Sequence, residues 1–372
     1  MNNTTSEHLN TVFQSVFPTN GTAAMNSTRS KEPLELYASL ANIIAYSIVY
    51  GVVSIIALAG NIMVFIVIIA NRSMHTATNV LLLNLSLSDI LFVLFSVPGL
   101  LAIEICNDRW PFSEPMGKMT QQTTILVAAS SVFTMVAIAF ERFLAVVYPL
   151  KQMARKKKTT IVVTVVIIWI CAIALSIPFA IYTENISLVV PVERDGKIVS
   201  EEIVLLSTTF TKDQNKAYVT ITFISINVIP IMLLGFLYAR IVWKLWNPDQ
   251  RLTQEIATPS KHQKPKHFVE KTRRKTTIML LAVVLVFFTC FFPFNILGML
   301  LAYGDSRDFN FDILRHVNSV TRVFLLVNSA SNPIIYNFLS EKFRKGFRSI
   351  FTCRWHALRR VSPSGVTETV LT

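Results

Sequence analysis

The chain of 372 residues is 52% hydrophobic and 15% charged, with 26 Phe and a net charge of +13. Soluble proteins carry about 25% charged residues, so much of this sequence lies where charge is costly. Basic proteins often bind nucleic acid, but here the cations sit in a few segments between apolar stretches, which membrane topology explains without a nucleic-acid partner.

Residues 1–38 are polar and hold sequons at Asn2, Asn3, Asn20 and Asn26. Clustered ahead of a membrane domain, these read as a glycosylated tail outside the cell. No short apolar run precedes position 39, so the first span is expected to direct insertion itself. Apolar stretches follow at 40–70, 77–104, 117–148, 160–181, 216–246, 270–302 and 311–337. Each reaches the ~20 residues that a helix needs to cross the hydrocarbon. The expected fold is therefore an all-α membrane protein, a seven-transmembrane helix bundle over 39–338, with a surface helix at 339–352 and a tail at 353–372. Basic clusters at 155–158, 261–275 and 342–360 all fall on one side. The positive-inside rule makes that side cytoplasmic and the N-terminus extracellular, at the plasma membrane.

Span two contains Asp89, which must face the bundle interior and find partners. Candidates are Asn61, Ser131, Asn328 and Asn332. Asp89, Ser131 and Asn328 among them suit a sodium ion with its waters; a hydrogen-bonded polar core without an ion is the equal alternative. No other cofactor is expected. Span three carries Thr124, Ala128, Ser131, Met135, Ile138 and Arg142 at steps of 4, 3, 4, 3 and 4, one inward stripe along its length. It is about 27 Å long and ends at Arg142 beside Glu141, placed to pair. Between spans four and five, two β-branched runs flank Asp195-Gly196, a hairpin signal, and Asn185 adds a sequon. Prolines at 98, 178, 230, 293 and 333 interrupt spans and are expected to kink them. After span seven, Ser340 is placed to cap a helix whose Phe343, Phe347, Ile350 and Phe351 share a face between basic residues, a helix lying on the membrane lipid. Cys353 just beyond is a palmitoylation candidate, with a plain reduced thiol as the alternative. Cys106 is the one cysteine expected outside, so no intrachain disulfide is expected there.

In this order the residues resemble the rhodopsin-like (class A) G-protein-coupled receptors. Gly60-Asn61, Leu85 to Asp89, Glu141-Arg142-Phe143, Trp169, Pro230 with Tyr238, the run Phe287, Cys290, Phe291, Pro293, and Asn332-Pro333-Ile334-Ile335-Tyr336 with Phe343 are each similar to a motif of that family. Three departures stand out. Phe291 replaces a tryptophan, Phe143 a tyrosine, and Gly117 the cysteine that ties span three to the hairpin loop. A looser loop is expected from the last.

The resemblance implies a signalling receptor and not an enzyme; the spans hold no His/Glu metal cluster and no Ser/His/Asp grouping. Thr124 stands where amine receptors place Asp, and Leu326 where light sensors place the retinal lysine, so the resemblance turns to the peptide branch, near galanin, allatostatin-A and somatostatin-like receptors. It implies ligand contacts at Thr124, Gln121, Asn227, Phe294, Asn295 and Arg322. It implies a switch and G-protein coupling through Glu141, Arg142, Tyr238, Phe287, Phe291, Pro293, Asn332, Pro333 and Tyr336. Implied partners are an extracellular neuropeptide, a heterotrimeric G protein, arrestin and a receptor kinase. An acidic outer face, with Glu104 and Asp108 among its residues, suits a cationic ligand or a plain solvated surface. A receptor for a small non-amine molecule and a non-signalling scavenger are the alternatives. A transporter or channel would need internal repeats or a continuous polar pore, and neither is seen.

Overall fold

The structure is a computed structural model that describes residues 38–148, 157–194, 197–247, 266–304 and 311–352. The sequons at Asn2, Asn3, Asn20 and Asn26, the turn at Asp195-Gly196 and Cys353 lie outside the described residues.

Seven spans form the bundle. Span one is Leu40–Ala70. Span two is Ala77–Phe95 continued by Val97–Ile105. Spans three and four are Glu114–Val147 and Lys157–Tyr182. Span five joins Lys212–Phe223 to Ile229–Trp246. Spans six and seven are Lys266–Tyr303 and Phe311–Leu339, and Glu341–Phe351 is the surface helix. The breaks answer to sequence. Pro98 stands at the start of the second segment of span two, where it cannot donate the hydrogen bond that would continue the first. Ahead of Pro230 span five runs through one π-turn, Ile224–Val228, a widened turn that the sequence reading had not foreseen. Pro178, Pro293 and Pro333 lie within unbroken helices. Starts are capped: Ser39 accepts from the amide of Asn42, and Thr211 with Gln214 makes a reciprocal capping box.

Among the described residues, six helices are long and apolar enough to cross a membrane on composition alone. Span seven is as long but polar on one side, with Ser319, Thr321, Asn328, Ser329 and Asn332 all buried, so its hydropathy is spent facing the bundle. The spans close a ring, one on two and seven, two on three, five on six, six on seven. Span three runs through the middle, against two, four, five and six. Gly60 meets span seven so closely that a Cβ there would lie 2.7 Å from the Pro333 Cβ.

The expected hairpin is present. Strands β1 (Thr183–Arg194) and β2 (Lys197–Thr208) pair antiparallel from Thr183 opposite Thr208 to Arg194 opposite Lys197. The hairpin has non-covalent attachments at the position of the missing cysteine. Leu206 of β2 fills the notch over Gly117, where any Cβ would overlap it, beside the buried Trp110 ring. The Trp110 amide donates to the Val204 carbonyl at 2.8 Å. The Thr209 amide donates to Tyr182 at 2.7 Å, which fixes the other end. Apolar packing and backbone bonds thus fasten the hairpin at Gly117, where no disulfide can form. Among the described residues Cys106, Cys171 and Cys290 are free thiols.

The surface helix differs in two respects from its expectation. Phe343 and Phe347 are buried against the bundle, Phe343 stacked on Tyr336 at 5.2 Å between ring centroids, while Phe351 is exposed. Ser340 precedes the helix without its hydroxyl bonding the first turn.

Candidate functional site

The stripe on span three is buried throughout its apolar and hydroxyl members: Thr124, Ala128, Ser131, Met135 and Ile138. It connects the hairpin end of the bundle to the surface-helix end through residues that touch no solvent. Asp89 is buried beside it and accepts from the Asn332 amide at 2.8 Å. Ser329, buried on span seven, lies near the same carboxylate, a neighbour that the sequence reading had not included. Asn61 takes a different part from the one expected. It donates to the carbonyls of Ala57 and Ser329 at 2.9 Å each, tying span one to span seven next to Gly60. Asn328 and Ser131 are buried in the same region. The second carboxylate oxygen of Asp89, the Ser131 hydroxyl and the Asn61 carbonyl oxygen bond no described group. These are hard oxygen donors, the set that a small cation takes, so the residues present fit sodium.

A second polar chain joins spans two, three and four. The Trp169 indole N–H donates to Asn84 Oδ1 at 2.9 Å, Asn84 Nδ2 donates to Thr134 Oγ1 at 2.8 Å, and Ser88 and Ser130 share a bond at 2.9 Å. Satisfied networks of this kind fix one packing.

Towards the hairpin end, Thr124 is buried with its hydroxyl donated to the Thr120 carbonyl at 2.8 Å. Asn227 is buried within the π-turn of span five. Asn295 donates to the Phe291 carbonyl at 2.9 Å, and Gln121 and Phe294 are half-buried. Below them Phe287 and Phe291 stack at 4.5 Å, both buried. They occupy the turn before Pro293, where a repacking would be felt along span six.

Arg322 sits in a structure that sequence reading missed. Its Nη1 lies 3.0 Å from Glu104 Oε1 and 3.6 Å from Asp108 Oδ1. Ser319 donates to the other Glu104 oxygen at 2.6 Å, and Arg315 Nε reaches Asp108 at 3.2 Å. Glu104 was counted with the acidic outer face. It is instead the end of span two, 6% exposed, and its charge is spoken for. Asp108 adopts a left-handed backbone, φ 64°, which turns its carboxylate back to these arginines. The Asn185 side-chain nitrogen donates to the Phe112 carbonyl at 3.3 Å, so this sequon is engaged by its neighbour.

At the surface-helix end, Glu141 and Arg142 both have partners. Arg142 acts electrostatically on the buried Tyr238 phenol. The hydroxyls of Tyr238 and Tyr336 are buried and bond no described group. Lys275 of span six meets Glu341 of the surface helix at 3.1 Å.

This arrangement, a central helix with a polar core beside it and an arginine at one end, agrees with what known proteins share with the chain. The family described as 7 transmembrane receptor (rhodopsin family) matches residues 60–336. The allatostatin-A receptor of Bombyx mori is 30% identical over 311 residues, 82% of this chain and 79% of that one. The neuropeptide FF receptor 2 of Mus musculus is 34% identical over 81% of this chain and 71% of its own length. The galanin receptor 2a of Danio rerio is 28% identical over 82% of this chain and 78% of its own. Two of these groups had been indicated by the motifs; the neuropeptide FF receptors had not. With motifs, bundle and family match in agreement, the chain belongs to the rhodopsin family of seven-transmembrane receptors, multi-pass membrane proteins and not enzymes.

Proposed function

We propose that the chain is a plasma-membrane receptor for an extracellular neuropeptide, with its hairpin end outside, and that it activates heterotrimeric G proteins. The observation that supports this most is the stripe buried from Thr124 to Ile138 and ending at the half-buried Arg142, one helix reaching from the hairpin to the opposite face. The relatives named for allatostatin-A, neuropeptide FF and galanin give the ligand class.

The mechanism is a population shift between two packings. A peptide beneath the hairpin contacts Gln121 and Thr124 on span three, Asn227 on span five, Phe294 and Asn295 on span six, and Arg322 on span seven. Only contacts that differ between the two packings move the equilibrium. Asn295 bonds the Phe291 carbonyl, so drawing it towards a ligand re-seats the Phe287–Phe291 stack below it. Span six then swings at Pro293 away from span three, and Arg142 leaves Glu141. The opened face admits a G-protein helix. The buried hydroxyls of Tyr238 and Tyr336 gain partners in that state, which offsets the roughly 1–3 kcal/mol cost of a buried unbonded group. Asn332 and Pro333 carry the change to the Asp89 cluster, where Asp89, Ser131 and Asn328 would hold a sodium ion that, when bound, would neutralise the buried carboxylate. Arrestin and a receptor kinase act on the same face and tail. The sequons at Asn2, Asn3, Asn20 and Asn26 carry glycans, and Cys353 a palmitoyl chain.

The test is a peptide panel that includes allatostatin-A, neuropeptide FF, galanin and somatostatin peptides, applied to transfected cells with calcium and cyclic-AMP readouts. A response that is blocked by G-protein inhibition supports the reading. Peptide uptake with neither signal would favour a scavenger.

A further inference from the structure

Span two ends in a turn at residues 106–109 that serves three parts of the receptor at once. Asn107 and Asp108 in it are both left-handed, with φ of 59° and 64°. A left-handed backbone is costly for any residue with a Cβ; Asn and Asp bear it best, but two in succession persist only when their surroundings hold them. Two such holds are present. The Asp108 amide donates to the Ile103 carbonyl at 2.9 Å, which closes the end of span two. The Asp108 carboxylate reaches to span seven, with Oδ2 3.2 Å from Arg315 Nε and Oδ1 3.6 Å from Arg322 Nη1. Asp108 and Arg315 are partly exposed, so their pair feels salt, unlike the buried Glu104–Arg322 pair.

The residues that follow this turn carry the hairpin. Arg109 bridges Leu205, and the Trp110 amide donates to the Val204 carbonyl at 2.8 Å. The Phe112 carbonyl accepts from the Asn185 side chain at 3.3 Å. Both strands are thus tied to one short segment, 109–112, and that segment leaves directly from the two left-handed residues. Were they to relax to negative φ, the peptide planes ahead of Arg109 would turn and draw Arg109 and Trp110 off β2.

We propose that the turn at 106–109 is a strained strap. The arginines of span seven, acting on Asp108, hold two left-handed residues in place and so keep the hairpin closed over its end of the bundle. Span seven then reaches the hairpin through one carboxylate, without a path through the core. Arg322 divides between Glu104 and Asp108, so a ligand that draws Arg322 loosens the strap. That last step rests on the reading of Arg322 as a peptide contact; the strap itself does not.

The experiment is amide hydrogen exchange on the full-length receptor in nanodiscs without ligand, read by mass spectrometry over 109–112. Asp108→Asn keeps the shape and the tolerance for a left-handed backbone and removes the charge. It should quicken exchange at Trp110 roughly three- to tenfold. Exchange should rise with ionic strength in wild type and lose most of that dependence in Asp108→Asn. Arg315→Gln leaves the loop's own sequence untouched and should act the same way by a smaller factor. Asn107→Val suits a left-handed backbone badly; it should quicken exchange with the salt dependence kept. Lys118→Gln, which breaks an exposed pair with Glu114 on span three, should change nothing. Wild-type exchange in Asp108→Asn, a full salt dependence that survives that change, or wild-type protection in Asn107→Val would each overturn the strap. Dissociation of a bound peptide should quicken in step, and a rate indifferent to these variants would overturn the hairpin's part as a lid. If no peptide binds even the wild type, the peptide reading fails, while the exchange result still decides the strap.

Discussion

Removing the Arg322 guanidinium should destabilise the receptor more than any surface change of equal size. Arg322→Ala leaves Glu104, whose side chain is 4% exposed, with the Ser319 hydroxyl alone. Breaking a buried pair by deleting one partner costs roughly 3–5 kcal/mol, because the other charge stays buried and unpaired. At about 2 °C per kcal/mol for a chain of this size, the thermal midpoint should fall by roughly 6–10 °C. The assay is thermal unfolding of the detergent-solubilised receptor, followed with a thiol-reactive dye at Cys290, which is buried in the native bundle. Glu104→Gln in the Arg322→Ala background removes the stranded charge and should restore most of the loss. An Arg322→Ala midpoint equal to wild type, or a double variant no better than the single, would refute the argument. The same pair of variants decides what Arg322 does for ligand. If the double variant regains stability but not peptide binding, Arg322 is a ligand contact; if both return together, it is a fastening between spans two and seven.

Gly60→Ala should cost roughly 1–3 kcal/mol of stability by overpacking and so lower the midpoint, since the Pro333 ring that it meets cannot rotate away; a wild-type midpoint would count against the close approach. Leu206→Ala should loosen the hairpin, seen as faster amide exchange at Trp110, whose N–H bonds β2, while unchanged exchange would mean that the knob over Gly117 holds nothing. Asp89→Asn should abolish any sodium-dependent rise in thermal midpoint with the bundle still folded; a persistent sodium effect would move the cation elsewhere.

How much of this was legible in the sequence depends on the range of each interaction. The spans follow from local hydropathy, and the hairpin from Asp195-Gly196 between β-branched runs, both signals of a few neighbouring residues. Asp89 was legible because a carboxylate in an apolar stretch must be buried with partners, and Asn332 was among those named. Ser329 was not, because a serine in a membrane helix carries no comparable signal. The Glu104–Arg322 pair joins residues 218 positions apart, and only the packing of spans two and seven brings them together. Read singly, Glu104 looked like a loop acid and Arg322 like a ligand contact. Gly117 was read as a lost disulfide. That Leu206 fills the same notch depends on hairpin register, which no local pattern declares.

The central claim is that one helix couples the hairpin end to a cationic gate at Arg142. Nucleotide exchange on a heterotrimeric G protein, catalysed by the purified receptor with its activating peptide, tests this when run beside peptide binding for wild type and Arg142→Ala. The account requires binding in both and exchange in wild type only. Undiminished exchange by Arg142→Ala would contradict it.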